Sequence, residues 1–319
     1  MRRKVFFLVL LWIWAYLGLV SSSAVGQKSS VQWEYLLEKP SWGMIEWSSA
    51  TLPKGFWYPS FEFTYVHSES YFAAGKEVDF PGGRDSTAYV AGARLTYGLS
   101  KDFNVGFFVP FMLDQKVDSG MFGQEARLFS GASNFGDVQL WLKYHFIDRY
   151  FWSVATELGS ALPTGRPHNK VSAKERATGD GQTDLNLTLK GDILLTEESF
   201  IKLGSQVVYQ FKRTYRDTSQ ELVDEKLGNA FGVEAGFVKN FRNMGLEGSL
   251  QYTYWQATKR NDVVVIPESD LFNLFLKLSL GNLSPEKQGK LDFTIHFPLT
   301  GKNAPATYRL GISLKTIFR

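Results

Sequence analysis

The side chains best suited to acid–base or metal chemistry are four histidines, because the sequence contains no cysteine. None of the four lies in an HExxH, nucleophile-elbow or phosphate-loop pattern, and their spacing is not that of zinc ligands. We expect no catalytic residue, metal or cofactor. A serine and a histidine brought together from distant segments remain an open alternative, since such sites are defined in space. The histidines are His67, His145, His168 and His296.

The charged residues are nearly balanced, with 35 Lys and Arg against 32 Asp and Glu and a formal net charge of +3. This balance gives no sign of a nucleic-acid partner. Many of the charges instead alternate with apolar residues. Leu185, Leu187 and Leu189 alternate with polar residues from Asp184 to Lys190, a period of two that predicts a strand with two different faces.

The same period recurs along the chain and predicts a dozen strands of about 10 to 14 residues, long enough to cross a membrane at a tilt. Mean hydropathy is only −0.17, which is compatible with this because each membrane strand alternates apolar and polar residues. We place the strands near 57–67, 86–98, 102–113, 135–147, 150–162, 182–195, 199–211, 228–239, 244–256, 270–281, 289–298 and 306–318.

The predicted connections alternate between short and long, except that the last loop, near 299–305, is shorter than its class. Short periplasmic turns and long extracellular loops are typical of transmembrane barrels, whereas a soluble β-sandwich has no reason to alternate them. The predicted fold class is therefore all-β, an antiparallel up-and-down transmembrane β-barrel of about 12 strands.

The N-terminus has the layout of a secretory signal peptide, with a basic start, an apolar core over 5–20 and small residues before Gln27. We predict a cleaved signal peptide over 1–26, a periplasmic lead segment or small plug over 27–55, and the barrel over 56–319. An uncleaved membrane anchor is the alternative to cleavage. The expected location is the outer membrane, with its lipid, its lipopolysaccharide and the barrel-assembly machinery as partners.

Aromatic residues are expected in two girdles at the membrane surfaces. The alternative is the general enrichment of aromatic residues in strands. The predicted periplasmic girdle contains Trp57, Tyr97, Tyr144, Trp152 and Phe318, and the predicted outer girdle contains Tyr209, Phe211, Tyr252, Trp255 and Tyr308.

Three stretches resemble the family labelled MetA-pathway of phenol degradation, and they follow that family's order. They are GLSKDFNVGFFVPF at 98–111, GDVQLWLKYHF at 136–146 and ALPTG at 161–165. Each is a strand end or a turn, so the resemblance concerns architecture more than chemistry. It implies an outer-membrane barrel with a part in the passage of hydrophobic or aromatic compounds.

If the apolar faces meet lipid, the opposite faces line the lumen. We read them as paired charges that fill the interior, with a selective pore lining as the alternative. Lumen aromatic residues would suit an apolar solute. The predicted lining consists of Glu62, Arg94, Phe108, Asp137, Trp141, Lys143, His145, Glu157, Asp184, Lys190, Lys202, Glu234, Glu247, Phe275, Lys277, Asp292, His296 and Arg309, together with Asp192 and Lys315.

These patterns support three functional hypotheses. The leading one is an outer-membrane channel or transporter for the passive passage of small hydrophobic or aromatic solutes. The second is a closed structural or lipid-interacting barrel, since twelve strands lie between a filled interior and an open channel. The third is an outer-membrane hydrolase, which would require a serine–histidine pair.

Overall fold

A computed structural model describes residues 49–80, 85–119, 127–130, 134–149, 151–166, 181–216, 221–241, 244–283 and 288–319. The predicted signal peptide and most of the predicted lead segment lie outside these residues, as does His168. No helix among the described residues is long and apolar enough to cross a membrane.

Twelve long strands form the wall, and the described residues include seven short strands in the connections. Numbered in chain order, the wall strands are β1 (Trp57–Ala73), β3 (Ser86–Gly98), β4 (Phe103–Ser119), β7 (Val138–Asp148), β8 (Trp152–Leu162), β9 (Asp184–Thr196), β10 (Ser199–Gln210), β13 (Ala230–Phe241), β14 (Met244–Trp255), β17 (Ser269–Leu283), β18 (Gln288–Lys302) and β19 (Ala304–Lys315). The short strands are β2 (Lys76–Asp79), β5 (Arg127–Ser130), β6 (Asn134–Phe135), β11 (Arg213–Arg216), β12 (Leu222–Lys226), β15 (Thr258–Arg260) and β16 (Val263–Ile266).

Each wall strand pairs in antiparallel fashion with the next wall strand, and β19 pairs with β1 to close the ring. Backbone hydrogen bonds between Trp57 and Phe318 continue this closing seam at 2.8 and 3.1 Å. The seam between β4 and β7 is shorter and runs from the pair Phe103–Tyr144 to the pair Phe108–Gln139. The sequence-based prediction of a closed antiparallel barrel of twelve strands is therefore confirmed.

The two faces of the wall differ in polarity as the alternating pattern predicted. On β9, Leu187 is 54% exposed on the outer face whereas Lys190 on the inner face is 6% exposed. On β19, Leu310 and Leu314 are 50% and 58% exposed on the outer face. An outer face of exposed leucine and phenylalanine has no favourable contact with water but suits lipid chains.

Aromatic pairs flank the outer face near both rims. At the periplasmic end the ring centroids of Trp57 and Tyr97 are 4.3 Å apart, and at the other end those of Tyr209 and Phe211 are 5.0 Å apart. One predicted girdle member differs. Trp255 packs beside Phe72 and Leu271 and lines an internal cavity, because its place on β14 has inward parity.

The long loops contain more structure than the sequence predicted. Strands β11, β12, β15 and β16 form a separate four-stranded sheet from the connections β10–β13 and β14–β17. In it, Arg213 and Arg260 both bind the buried carboxylate of Glu225, with Arg260 at 2.8 Å. The predicted loop at 299–305 is a tight turn, since β18 extends to Lys302 and β19 begins at Ala304.

Candidate functional site in the barrel lumen

A ring of charged side chains of both signs follows the inner wall. The positions share the inward parity of their strands, so the sheet alone brings residues far apart in sequence to neighbouring places. We call this ring the charged belt. Its members are Glu62, Arg94, Glu157, Lys190, Lys202, Glu234, Glu247, Lys277, Lys290, Asp292 and Lys315.

The densest part of the charged belt lies on β10, β13, β14 and β17. The Lys202 ammonium is 2.6 Å from a carboxylate oxygen of Glu234 and also contacts Glu247. Glu247 in turn contacts Lys277 on the next strand. Lys202, Glu247 and Lys277 are each less than 10% exposed, so these charges depend on one another rather than on water.

The rest of the charged belt repeats this pairing around the wall. Lys190 is 2.7 Å from Glu157, and Arg94 is 3.3 Å from Glu62. Asp292 lies between Lys315 at 2.9 Å and Lys290 at 3.6 Å. The predicted lining omitted Lys290, although its place two residues before Asp292 has the same parity.

Residues Ser49–Leu52, which precede the wall, lie inside the lumen. The Ser49 backbone N–H and hydroxyl both donate to the Asp192 carboxylate, at 2.8 and 2.6 Å. Lys143 donates to the Ala50 carbonyl, and the Leu52 N–H donates to Asn104 at 3.0 Å. These contacts could not be predicted from the sequence, because they use backbone groups and one short side chain, which leave no recognisable pattern.

Aromatic rings interrupt the charged wall at the three predicted inward positions. The Arg94 guanidinium lies 5.0 Å from the ring centre of Phe108 and 4.9 Å from that of Trp141. Gly92 leaves the space for the Phe108 ring, since a Cβ there would lie 2.3 Å from it. Phe275 contacts His296, with ring centroids 4.7 Å apart.

The extracellular half of the lumen contains a cavity of about 580 Å³. Its upper wall includes loop residues such as Gly228 and Pro267, and its lower wall includes residues of the charged belt. Between them the lining is rich in neutral hydrogen-bonding groups, with Trp255 and Leu271 as the larger apolar surfaces. The neutral lining groups include Thr188, Gln206, Gln210, Gln251, Thr253 and Asn273.

The remaining residues of the predicted lining lie outside the charged belt and differ in their contacts. Asp137, at the outer end of β7, accepts a hydrogen bond from the Gly165 N–H at 2.9 Å, and Asp184 accepts one from Gln210 at 3.2 Å. His145 is buried on the inner face of β7, near the periplasmic turn. His296 and Arg309 form a register pair on β18 and β19 and line the cavity.

Within the described part of the chain, no group of three or more histidine, aspartate or glutamate side chains could hold a metal ion. The one ion pair of a histidine among these residues joins His67 to Glu69 at 3.7 Å, away from the lumen.

The sequence matches no protein-family model and no characterised protein. The fold, however, is known. The chain is similar to the crystal structure of the COG4313 outer membrane channel from Pseudomonas putida F1, with a TM-score of 0.69 and 15% identity over 85% of this chain and 98% of that chain.

Two other solved barrels are more distant. The β domain of the Bordetella autotransporter Brka gives a TM-score of 0.48 at 10% identity over 82% of this chain and 99% of that chain. The NanC porin gives 0.46 at 11% identity over 80% and 98%. The likeness to the Pseudomonas channel establishes that this chain has the fold of an outer-membrane β-barrel.

Proposed function

We propose that the protein is an outer-membrane channel through which small hydrophobic or aromatic solutes pass by diffusion. The observation that carries this proposal is the cavity of about 580 Å³ in the extracellular half of the lumen. A cavity of this size is in the range that holds small molecules. The COG4313 structure from Pseudomonas putida F1 is described as a channel, which agrees with the proposal.

The aromatic residues of the lumen support the choice of solute. Trp255 lines the cavity, and Phe275 lies next to the cavity residue His296. Phe108 and Trp141 form a second aromatic group under Arg94. Flat apolar surfaces beside hydrogen-bonding groups can bind an apolar solute weakly enough to release it again.

The proposal includes export by the signal peptide of 1–26, insertion by the barrel-assembly machinery, and outer-membrane lipid and lipopolysaccharide as surroundings. Membership of the MetA-pathway of phenol degradation family is part of it. The exposed apolar outer face of the wall supports a membrane location. A passive channel requires neither a cofactor nor a catalytic residue.

A closed barrel is the second candidate, and a specific observation favours it. The charged belt and Ser49–Leu52 both occupy the lumen below the cavity, where each buried charge has a partner. We propose that the segment 27–55 acts as a plug. In that case the resting channel passes little, and the plug must be displaced before solute crosses.

The first prediction concerns this plug. Deleting 27–50 from the mature chain should raise single-channel conductance in planar bilayers, because the deletion removes the groups that Asp192 and Lys143 bind. Deleting only 27–48 is the comparison variant: because it keeps Ser49 and Ala50, a smaller rise than in the longer deletion would assign the block to the contacts of these two residues. Unchanged conductance after the longer deletion would contradict the plug. If both deletion variants fold into heat-modifiable barrels but show no conductance, the closed barrel is favoured over the channel.

A further inference from the structure

Arg309 differs from the other charged residues of the lumen. Its side chain is exposed, and its inward parity on β19 directs that exposure to the cavity and not to the lipid. Leu310 on one side of it and Ile312 beyond have the opposite parity and are 50% and 40% exposed on the outer face. An arginine is thus presented to the space that a solute would occupy.

The guanidinium of Arg309 has no acidic partner among the residues that the structure describes. The other charged groups of the cavity wall are already engaged there: Glu234 binds Lys202 at 2.6 Å and accepts from Gln251 at 3.3 Å, and Lys190 binds Glu157 at 2.7 Å. The neighbours of Arg309 in register are Val66 and His296, and neither is an acid.

An uncompensated arginine in an enclosed space favours an anion. The guanidinium offers five N–H donors in a planar fork, which match the two oxygens of a carboxylate. In the cavity of Arg309, amide groups such as Gln206 and Gln251 can bind further polar atoms, while Trp255 and Leu271 offer apolar contact. These surroundings suit a molecule with one acidic group and a small apolar body.

We propose that Arg309 is a binding residue for the carboxylate of small aromatic or aliphatic monocarboxylates entering the cavity. This inference rests on the proposed function, because it names the solute class of the same lumen. It also changes the expected selectivity. The charged form of the solute is the one recognised, and the neutral amide of the same shape is bound more weakly.

The test is a binding measurement that does not depend on transport. The refolded mature chain in detergent micelles is titrated with 4-fluorobenzoate and, separately, with the neutral isostere 4-fluorobenzamide, and binding is followed by ¹⁹F NMR line broadening. The parent should bind the benzoate more tightly than the benzamide. Arg309→Gln should weaken benzoate binding about tenfold or more and leave benzamide unchanged. Arg309→Lys should fall between, because it keeps the charge and loses the fork.

Arg149→Gln is the matched control, since Arg149 is exposed in a periplasmic turn. It should bind benzoate as the parent does. Equal affinity of the parent and Arg309→Gln, or equal affinity of the parent for benzoate and benzamide, would overturn the proposal. So would displacement of benzoate by an equal concentration of chloride, which would indicate a site for any small anion. Binding without conductance would instead contradict only the channel.

Discussion

Glu247 lies between two lysines of the charged belt, Lys202 on one side and Lys277 on the other. Its pairing differs from that of a surface ion pair, because all three side chains are nearly inaccessible to water. Removing the carboxylate would take away the acidic partner of Lys277 and leave Lys202 with Glu234 alone, in a low-dielectric space. The cost of an unpaired buried charge is far larger than the value of an exposed ion pair.

The second prediction follows from this difference. Glu247→Gln should destabilise the barrel by about 3–5 kcal/mol, measured by denaturant unfolding in detergent or lipid with tryptophan fluorescence. Glu198→Gln is the control. Its partner Lys239 lies at 3.0 Å in an exposed pair, so the loss should be at most about 1 kcal/mol. A loss of stability in Glu247→Gln as small as that in Glu198→Gln would show that the charged belt adds little stability.

The alternation of polar and apolar residues along each strand allowed most inward residues to be predicted from the sequence. Glu157 with Lys190 and Glu234 with Lys202, which were each predicted to face the lumen, form close ion pairs between neighbouring wall strands. Which acid pairs with which base could not be predicted, because the pairing depends on the register between strands. The cavity was also not predicted, because it depends on inward positions that have no side chain, such as Gly204 and Gly232.

Among the strands, β13 and β14 present glycines to opposite sides of the wall. Gly232 lines the cavity, and a Cβ there would lie 3.6 to 4.0 Å from its nearest neighbours. Gly248 has the outward parity of Leu246 and Leu250. A Cβ at Gly248 would meet only Leu276, at 3.5 Å. Both positions therefore have room for a Cβ, and only the Cβ at position 232 points into the lumen.

The third prediction uses this pair. Gly232→Leu should lower single-channel conductance, because the new side chain occupies part of the cavity at ordinary contact distances. Gly248→Leu should leave conductance as in the parent while it adds an apolar group to the lipid-facing side. Conductance that does not respond to Gly232→Leu would mean that the solute path avoids the cavity. The two variants introduce the same side chain on opposite faces of the wall.

The bounds of the elements were predictable to different degrees. The strand predicted at 86–98 agrees with β3, because its alternation is clear and a short turn follows Gly98. The predicted end of β1 at 67 falls short of Ala73. The strand continues there because β2 folds back on it, with Ser70 opposite Asp79. A hairpin outside the membrane needs no apolar face toward lipid, so the alternating pattern weakens.

As a whole, the barrel is not equally secured at all its seams. The closing seam between β1 and β19 extends from Ser60–Lys315 to Phe72–Ala304, whereas β4 and β7 pair only up to Phe108–Gln139, beyond which β4 has two further pairs with β6. A membrane barrel depends on its inter-strand hydrogen bonds, since lipid offers no replacement for them. Local opening should therefore begin at the shorter seam.

The fourth prediction is measured by hydrogen exchange with mass spectrometry in detergent. Amides on peptides covering 103–108 and 139–144 should exchange faster than those covering 60–67 and 308–315. The second set is the internal control, because it lies at the seam where the ends of the wall meet. Equal protection of the two seams would indicate that the barrel opens as one cooperative unit.

The backbone contact between Trp57 and Phe318 joins the first strand of the wall to the segment that follows its last strand. Both residues lie at the periplasmic rim and are joined there by hydrogen bonds at 2.8 and 3.1 Å. Each wall strand therefore has two bonded neighbours, β1 and β19 included. The order in which the strands are synthesised is a property of the reading frame, and the finished ring contains no first strand.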